Sequence, residues 1–427
     1  MGSYAWEKCC RKRWPSVKPF SISASMEKQM SNKWYECYRR MHLQDMKAST
    51  VLSILLSPNK TKSECIDALY DLFCSDISID QLFDGLLFKL TLPNPAIINS
   101  SFKTPSKVMA GLMLLEVNQS FSMQRLCNLW RAHGMNTPPT PPSSSSVILQ
   151  GAIYIAQFCQ SVSELIQRKS LYALEEELHN QITEWANLFK SKLDRKRVQN
   201  FQKPNELYVQ WVEEMKYFFS KATEGRVSQV DNEDFLPMCG NKDNYYDWHN
   251  SLLDKVVKNR KGIPITLCII YAAIIYHALG LDLDFIGLPG HFLLRLPLKQ
   301  MLEEDGRSLI RDSSDVIFID AYNGGRLYNI QEVMDIVEIG YIWSEAYISP
   351  LTPDKIWTRM IANIVNTARD FSTPSQTVLL HVIKRRITIA NTSSLHENNF
   401  KDIITRFFLL STLCSFEPND ILALSNE

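Results

Sequence analysis

The chain has 427 residues, and its 46 Lys and Arg residues balance 46 Asp and Glu residues to a formal net charge of zero. This balance excludes a polybasic protein that holds nucleic acid or acidic membranes by charge alone. At 45% apolar and 22% charged residues, the composition is that of a folded globular chain, which at about 150 residues per domain predicts two or three domains.

The ten cysteines are scattered and form no CxxC pairs, so we expect no zinc module, no other metal site and no cofactor. The first residues contain no apolar run before the charged Glu7, Lys8 and Arg11. They therefore predict no secretory signal, reduced thiols and a cytoplasmic or nuclear location.

One apolar segment has almost the length of a membrane span, because residues 263–281 carry no formal charge. Pro264 stands where the helix would begin, and Thr266, Tyr271 and His277 interrupt the apolar run. A buried core helix is therefore favoured over a membrane span, and we expect no membrane partner.

The first half of the chain is predicted to be helical. Residues 1–20 are typical of the end of a short helix that stops at Pro15, and residues 21–135 hold amphipathic helical patterns. The proline- and serine-rich residues 136–146 predict a flexible linker. The predicted helices on both sides of it are Met26–Thr50, Lys62–Cys74, Gln124–His133, Ile148–Phe158, Glu164–Leu193 and Asn205–Thr223.

The hydrophobic period changes after Leu281. Leu283–Leu288, His291–Leu296 and Val316–Asp320 are short β-branched or aromatic runs that predict strands of one sheet. Beyond them, helices are expected at Lys355–Phe371, Thr377–Ile389 and Asn399–Cys414. The fold class is therefore α+β, mainly helical, with a central buried helix packed on a small antiparallel sheet and a helical C-terminal tail.

His291 and Asp320 are the residues that could carry chemistry. If their strands pair antiparallel, the start of one lies beside the end of the other, which brings the imidazole and the carboxylate together. Such a pair serves thiol acyl transfer when a cysteine stands at a helix N-terminus. His291 could instead be a structural histidine, and Asp320 could simply cap the turn at Asn323-Gly324-Gly325.

Four ordered sequence blocks resemble the transglutaminase-like domain of bacterial SirB-type proteins and of the eukaryotic F-box only protein 21 family. Together they extend over residues 244–325. They are Asn244-Tyr245-Tyr246-Asp247-Trp248-His249-Asn250-Ser251-Leu252-Leu253, Arg260-Lys261-Gly262-Ile263-Pro264-Ile265-Thr266-Leu267, Leu288-Pro289-Gly290-His291-Phe292-Leu293 and Ile319-Asp320-Ala321-Tyr322-Asn323-Gly324-Gly325.

The resemblance implies a papain-like core within residues 147–342, preceded by the end of an F-box at residues 1–20. Residues 343–427 are predicted to form a helical tail, whose helix pairs would suit a tetratricopeptide-like arrangement although no repeated copy is found in the sequence. The eukaryotic family also has a complete F-box and a C-terminal domain similar to hemimethylated-DNA-binding modules, and both are expected to be missing here. The resemblance further implies that the protein is a substrate-recruiting subunit of a Skp-cullin-F-box ubiquitin ligase. Binding of the Skp-type adaptor and cullin would require an F-box, and we expect no nucleic-acid partner.

The resemblance also locates the nucleophile, since the cysteine of active members follows the basic-Gly-x pattern. Here that pattern is followed by Pro264, which offers no nucleophile. Cys268 lies four residues further, about 6 Å along a helix axis, in an apolar setting that would raise the pKa of its thiol. We therefore expect a catalytically inactive domain that recognises proteins. The alternative is a thiol-dependent acyl transferase or peptidase that uses Cys268, His291 and Asp320.

Overall fold

The computed structural model describes residues 3–13, 34–43, 46, 83–84, 86–87, 103–133, 145–196, 211–219, 237–296, 317–338 and 341–369. These residues divide between two compact units. One is drawn from Met1–Gln124 and Gln157–Leu174, and the other from Arg125–Ala156 and Glu175–Leu413.

The first unit is helical in its described parts. Helix α1 is Ser3–Arg13, and its buried Cys10 packs with Cys37 and Met41 of the helical segment 34–43. Most of the long helix α2, Lys103–His133, belongs to this unit, as does the short helix α4, Val162–Arg168. The side chain of Asn118 on α2 donates a hydrogen bond of 2.7 Å to the carbonyl of Gln157.

The second unit is built around one predominantly apolar helix. Its first four helices are α3 (Ser145–Phe158), α5 (Ala173–Lys196), α6 (Leu253–Asn259) and α7 (Pro264–Leu279). The last residues of α3 and the first residues of α5 belong to the first unit. Helix α7 is buried on all sides except at Tyr276, His277 and its last residue. A helix that is apolar all round is stable only inside a core, so α7 is the centre about which the unit is assembled.

A small antiparallel sheet covers α7. It consists of β3 (Asp284–Ile286), β4 (Leu293–Arg295), β5 (Phe318–Asp320) and β6 (Arg326–Tyr328), paired in that order. The register pairs Leu294 with Ile319, which sets the end of β5 beside the start of β4. A separate parallel pair joins β1 (Cys239–Gly240) to β2 (Lys261–Gly262), immediately before α7.

Two helices complete the second unit, α8 (Ile330–Glu338) and α9 (Pro353–Arg369). The indole of Trp357 on α9 is buried and donates a hydrogen bond of 3.2 Å to the carbonyl of Ile148 on α3. Gly151 of α3 faces the same ring so closely that a Cβ atom would overlap it. Only a glycine therefore allows α9 to dock at this point of α3.

The α+β class, the buried helix and the antiparallel sheet are confirmed, although each strand is shorter than predicted. The single helix predicted at Glu164–Leu193 is in fact two, because Lys169 adopts a left-handed conformation with φ of 60° and ends α4. No helix among the described residues is long and apolar enough to cross a membrane. The helices predicted at Lys62–Cys74, Thr377–Ile389 and Asn399–Cys414 and most of the 136–146 linker lie outside the described residues.

Candidate functional site

The start of α7 is the position at which the sequence resemblance locates a nucleophile. Ile263 is the N-cap residue and makes no side-chain capping bond, and Pro264 is the first helical residue. Proline is well suited to this position because its fixed φ matches the helix and its missing N–H needs no partner. The position therefore carries neither a nucleophilic atom nor an amide hydrogen.

His291 and Asp320 meet across the sheet, as the strand register requires. His291 lies two residues before β4 and Asp320 ends β5, and the distance from Nε2 to Oδ2 is 2.9 Å. The carboxylate of Asp320 is fully buried, whereas the histidine side chain keeps 16% of its surface exposed. Since an ionised carboxylate can only accept, the imidazole donates from Nε2 to Asp320, which leaves Nδ1 as its other ring nitrogen.

Asp320 is held by its own turn as well as by the histidine. Its Oδ1 accepts from the backbone N–H groups of Tyr322 and Asn323, and its Oδ2 accepts from the Asn323 side chain at 2.7 Å. Burial alone would raise the pKa of Asp320, but the hydrogen bond and charge of His291 and the bonds from Asn323 together lower it. Asp320 therefore caps a turn and orients His291 at the same time, so the two alternatives left open by the sequence are both realised.

Cys268 lies beneath this pair and is sealed from solvent. It is one turn further along α7 than Pro264, and its thiol donates to the carbonyl of Phe292 at a sulfur–oxygen distance of 3.6 Å. Burial raises the pKa of the Cys268 thiol well above its ordinary value, the negative charge of Asp320 adds to that rise, and a hydrogen bond from the Ala321 backbone offsets part of it. Both leading effects disfavour the thiolate that nucleophilic attack requires.

Two other polar side chains on α7, Thr266 and His277, make no hydrogen bond to the His291–Asp320 pair in the part of the chain that the structure describes. The hydroxyl of Thr266 is buried and has no hydrogen-bond partner among the described residues. The ring of His277 lies 6.5 Å from that of His179 on α5, away from Cys268, and burial lowers its pKa. Of the basic cluster before α7, Lys261 lies 3.8 Å from Asp243 and Arg260 stacks over Trp185.

Three further side chains at the site, Tyr245, Tyr322 and Arg359, were not predicted from the sequence. The ring of Tyr322 lies 6.3 Å from the His291 ring and 6.2 Å from the ring of Tyr245. Arg359 on α9 donates from Nη2 to the carbonyls of Leu288 and His291, at 3.0 and 3.2 Å. Tyr245 and Tyr322 belong to sequence blocks already singled out, but Arg359 is 68 residues from His291 along the chain and carries no local signal.

The arrangement holds an acid–base pair without a nucleophile. The pair can take or deliver a proton at Nδ1 of His291, and the buried carboxylate fixes the tautomer that does so. Among the described residues, no cluster of three or more His, Cys, Asp or Glu side chains could hold a metal ion. The site thus places an oriented His–Asp pair next to a buried thiol.

Comparison with known proteins shows what the second unit is similar to. Residues 178–362 match the model of the transglutaminase-like superfamily. The chain contains a transglutaminase-like domain. The matched residues include α6, α7, the four-stranded sheet and the first part of α9, and hence His291, Asp320 and Cys268.

Two kinds of curated relatives are similar to the chain. The UPF0162 protein of Xylella fastidiosa strain 9a5c is 32% identical over 159 residues, 37% of this chain and 46% of the relative. F-box only protein 21 of Mus musculus is 24% identical over 231 residues, and that of Homo sapiens is 25% identical over 235 residues; each alignment covers 53% of this chain and 33% of the relative. The chain thus spans less than half of the length of these relatives, and no solved structure is significantly similar.

Proposed function

We propose that this chain is a protein-recognition subunit related to the substrate adaptors of Skp-cullin-F-box ubiquitin ligases, and that its transglutaminase-like domain binds proteins without catalysis. The observation that carries the proposal is Pro264, at the first position of α7, in a domain that retains the His291–Asp320 pair. The similarity to F-box only protein 21 over about half of the chain supports the ligase context.

Proline removes two contributions to acyl-transfer chemistry at once. It has no side-chain nucleophile, and it has no backbone N–H with which to stabilise the negative oxygen of a tetrahedral intermediate. Loss of one such N–H donor alone slows acyl transfer by about 10²–10³-fold. A domain that lacks this nucleophile and this N–H donor can still keep its fold and its surface, and binding to another protein requires only these two.

The ligase context is tested with a fusion that carries an F-box upstream of this chain. We expect the fusion to capture a Skp-type adaptor and a cullin, and to direct ubiquitin to the proteins that the chain alone binds. The proposal fails if the fusion assembles with the cullin but the proteins captured by this chain are never modified.

The absence of catalysis is tested by alkylation with iodoacetamide near neutral pH. We expect native Cys268 to react only when the domain unfolds, because its thiol is buried and its pKa is raised. Its rate of alkylation should therefore not exceed the rate of global unfolding. The variant Pro264→Cys should react faster at its new thiol, and the added His291→Ala change should slow that reaction.

The second candidate function is a thiol-dependent acyl transferase or peptidase that uses Cys268, His291 and Asp320, and it is favoured only by the intact 2.9 Å His–Asp contact. It predicts rapid alkylation of native Cys268 that depends on His291. Such a rate in the wild-type chain would replace the recognition proposal with an enzyme.

A further inference from the structure

The first unit contains two thiols in contact with each other. Cys10 on α1 and Cys37 on the helical segment 34–43 are 0% and 3% exposed and pack together with Met41. The two thiols are hydrogen-bonded to each other, and Cys10 also donates to the carbonyl of Trp34 at a sulfur–oxygen distance of 3.6 Å. Both cysteines take no part in the site described above.

Contact between two thiols is the arrangement from which a disulfide forms. The bond requires cysteines whose side chains point towards each other, and the hydrogen bond between Cys10 and Cys37 meets that condition. The adjacent Cys9 has an exposed side chain and lies outside the buried cluster. A disulfide between Cys10 and Cys37 would join α1 covalently to the segment 34–43.

The cover over this pair of thiols is thin. Among the described residues up to position 46, the buried side chains are those of Cys10, Cys37 and Met41. Helix α1 has 11 residues, a length at which a helix depends on its packing for stability. Local opening of α1 therefore exposes both thiols, whereas Cys268 lies in a helix that is buried along most of its length.

The two thiols differ in how readily they ionise. Burial raises the pKa of Cys10 to about 12, and the charge of Cys37 and the hydrogen bond with it add to that rise. Burial also raises the pKa of Cys37, but the hydrogen bond with Cys10 and the charge of Arg40 offset part of that rise. Cys37 is therefore the better nucleophile, and Cys10 is the thiol that completes the disulfide.

We propose that Cys10 and Cys37 form a reversible disulfide that fixes α1 to the segment 34–43, with a small disulfide such as oxidised glutathione as the oxidant. The Cys37 thiolate attacks one sulfur of oxidised glutathione, which forms a mixed disulfide and releases one glutathione thiolate. The Cys10 thiolate then attacks the sulfur of Cys37 and releases the second glutathione thiolate.

The reaction balances and is reversible. The two protons that leave the cysteines are taken up by the two glutathione thiolates, so two protein thiols are oxidised while one glutathione disulfide is reduced to two thiols. Excess reduced glutathione drives the same steps backwards. The state of α1 thus follows the ratio of oxidised to reduced glutathione around the protein.

The bond is tested in the full chain by equilibration in glutathione buffers of rising oxidised fraction, acid quenching, alkylation and mass spectrometry. We expect a Cys10–Cys37 cross-link that dithiothreitol removes. The matched control Cys9→Ser should leave the cross-link unchanged, and Cys37→Ala should abolish it. The proposal is wrong if no cross-link forms in the most oxidising buffer, or if Cys9 replaces either partner in the wild-type chain.

Limited trypsin digestion tests whether the disulfide fixes α1. Lys8 and Lys12 are exposed cleavage sites on α1, and trypsin cuts them only after the helix opens. Cleavage there should be about tenfold or more slower in the oxidised chain than in the reduced chain. Cleavage at the exposed Arg326 of the second unit should not change with oxidation.

Equal cleavage of α1 in the two redox states would show that the disulfide does not restrain it and would overturn the proposal. A second measurement tests the local opening. In the reduced chain, iodoacetamide should modify Cys10 and Cys37 faster than Cys268, and equal rates would show that the thiols react only on global unfolding. Both measurements use the wild-type chain, so they decide the matter even if Cys37→Ala fails to fold.

Discussion

Two His–Asp pairs among the described residues have nearly equal lengths and very different surroundings. In the first, Nε2 of His291 lies 2.9 Å from Asp320, with side chains 16% and 0% exposed. In the second, Nδ1 of His249 lies 2.8 Å from Asp247, with side chains 32% and 30% exposed. Both aspartates cap a short 3₁₀ turn, at Ala321–Asn323 and at Trp248–Ser251, so the local motif is the same.

What differs is the separation of the partners along the chain. His249 is two residues from Asp247, and their pair belongs to one turn. His291 is 29 residues from Asp320, and their pair joins the approach to β4 with the end of β5 in a dry environment. A local, partly exposed pair contributes little beyond its own turn, whereas a buried long-range pair is part of the core, and breaking it costs several kcal/mol, on the order of 3–5.

The largest expected effect comes from removing the two carboxylates in turn. Asp320→Ala should lower the free energy of unfolding by about 3–5 kcal/mol, because His291 and the buried donors of the turn would lose their common acceptor. Asp247→Ala should cost about 0.5–2 kcal/mol, the usual loss of an N-cap. Urea unfolding of both variants measures the difference, and equal losses would show that burial does not separate the pairs.

The contribution of Asp320 should also depend on pH. Its pKa in the folded chain lies below the ordinary value of 3.8, so its ionised form stabilises the fold above that value, and this stability is lost as the pH falls through the folded pKa. The gap in stability between wild type and Asp320→Asn should therefore be widest near neutral pH and should narrow below pH 3.8. A gap that stays constant with pH would contradict the role of the charge.

Removing the two histidines should give a smaller contrast in the same direction. His291→Ala leaves the buried carboxylate without one of its donors, and we expect a loss of about 1–3 kcal/mol together with a rise in the pKa of Asp320. His249→Ala should cost less than about 1 kcal/mol, as for exposed pairs in general. If His249→Ala proves the more damaging, the local pair has a structural role beyond its turn.

The smallest expected effect concerns the tyrosine next to His291. The Tyr322 hydroxyl makes one long hydrogen bond of 3.4 Å to the carbonyl of Asn241, while its ring packs against Gly240. Tyr322→Phe should therefore change the unfolding free energy by less than about 1 kcal/mol. Tyr322→Ala, which also removes the ring, serves as the contrast and should cost several times more.

Much of this arrangement can be predicted from the sequence, because strand periodicity puts His291 and Asp320 at opposite ends of two predicted strands, and antiparallel pairing makes those ends face each other. The break between α4 and α5 was not predicted, since it depends on a left-handed Lys169, a conformation with no strong sequence signature. The start of α4 did carry a signal, because Ser161 and Glu164 form a capping box. Arg359 could not have been assigned, since its role depends on where α9 docks and not on its neighbours in the chain.

The packing of Trp357 against α3 affects how the domain folds during synthesis. Its indole bonds to a carbonyl 209 residues earlier, at a helix that leaves the ribosome long before α9 does. Until α9 has been translated, the slot at Gly151 stays open. The nascent domain therefore cannot close until synthesis has passed Trp357, and cellular holdases should associate with it up to that point.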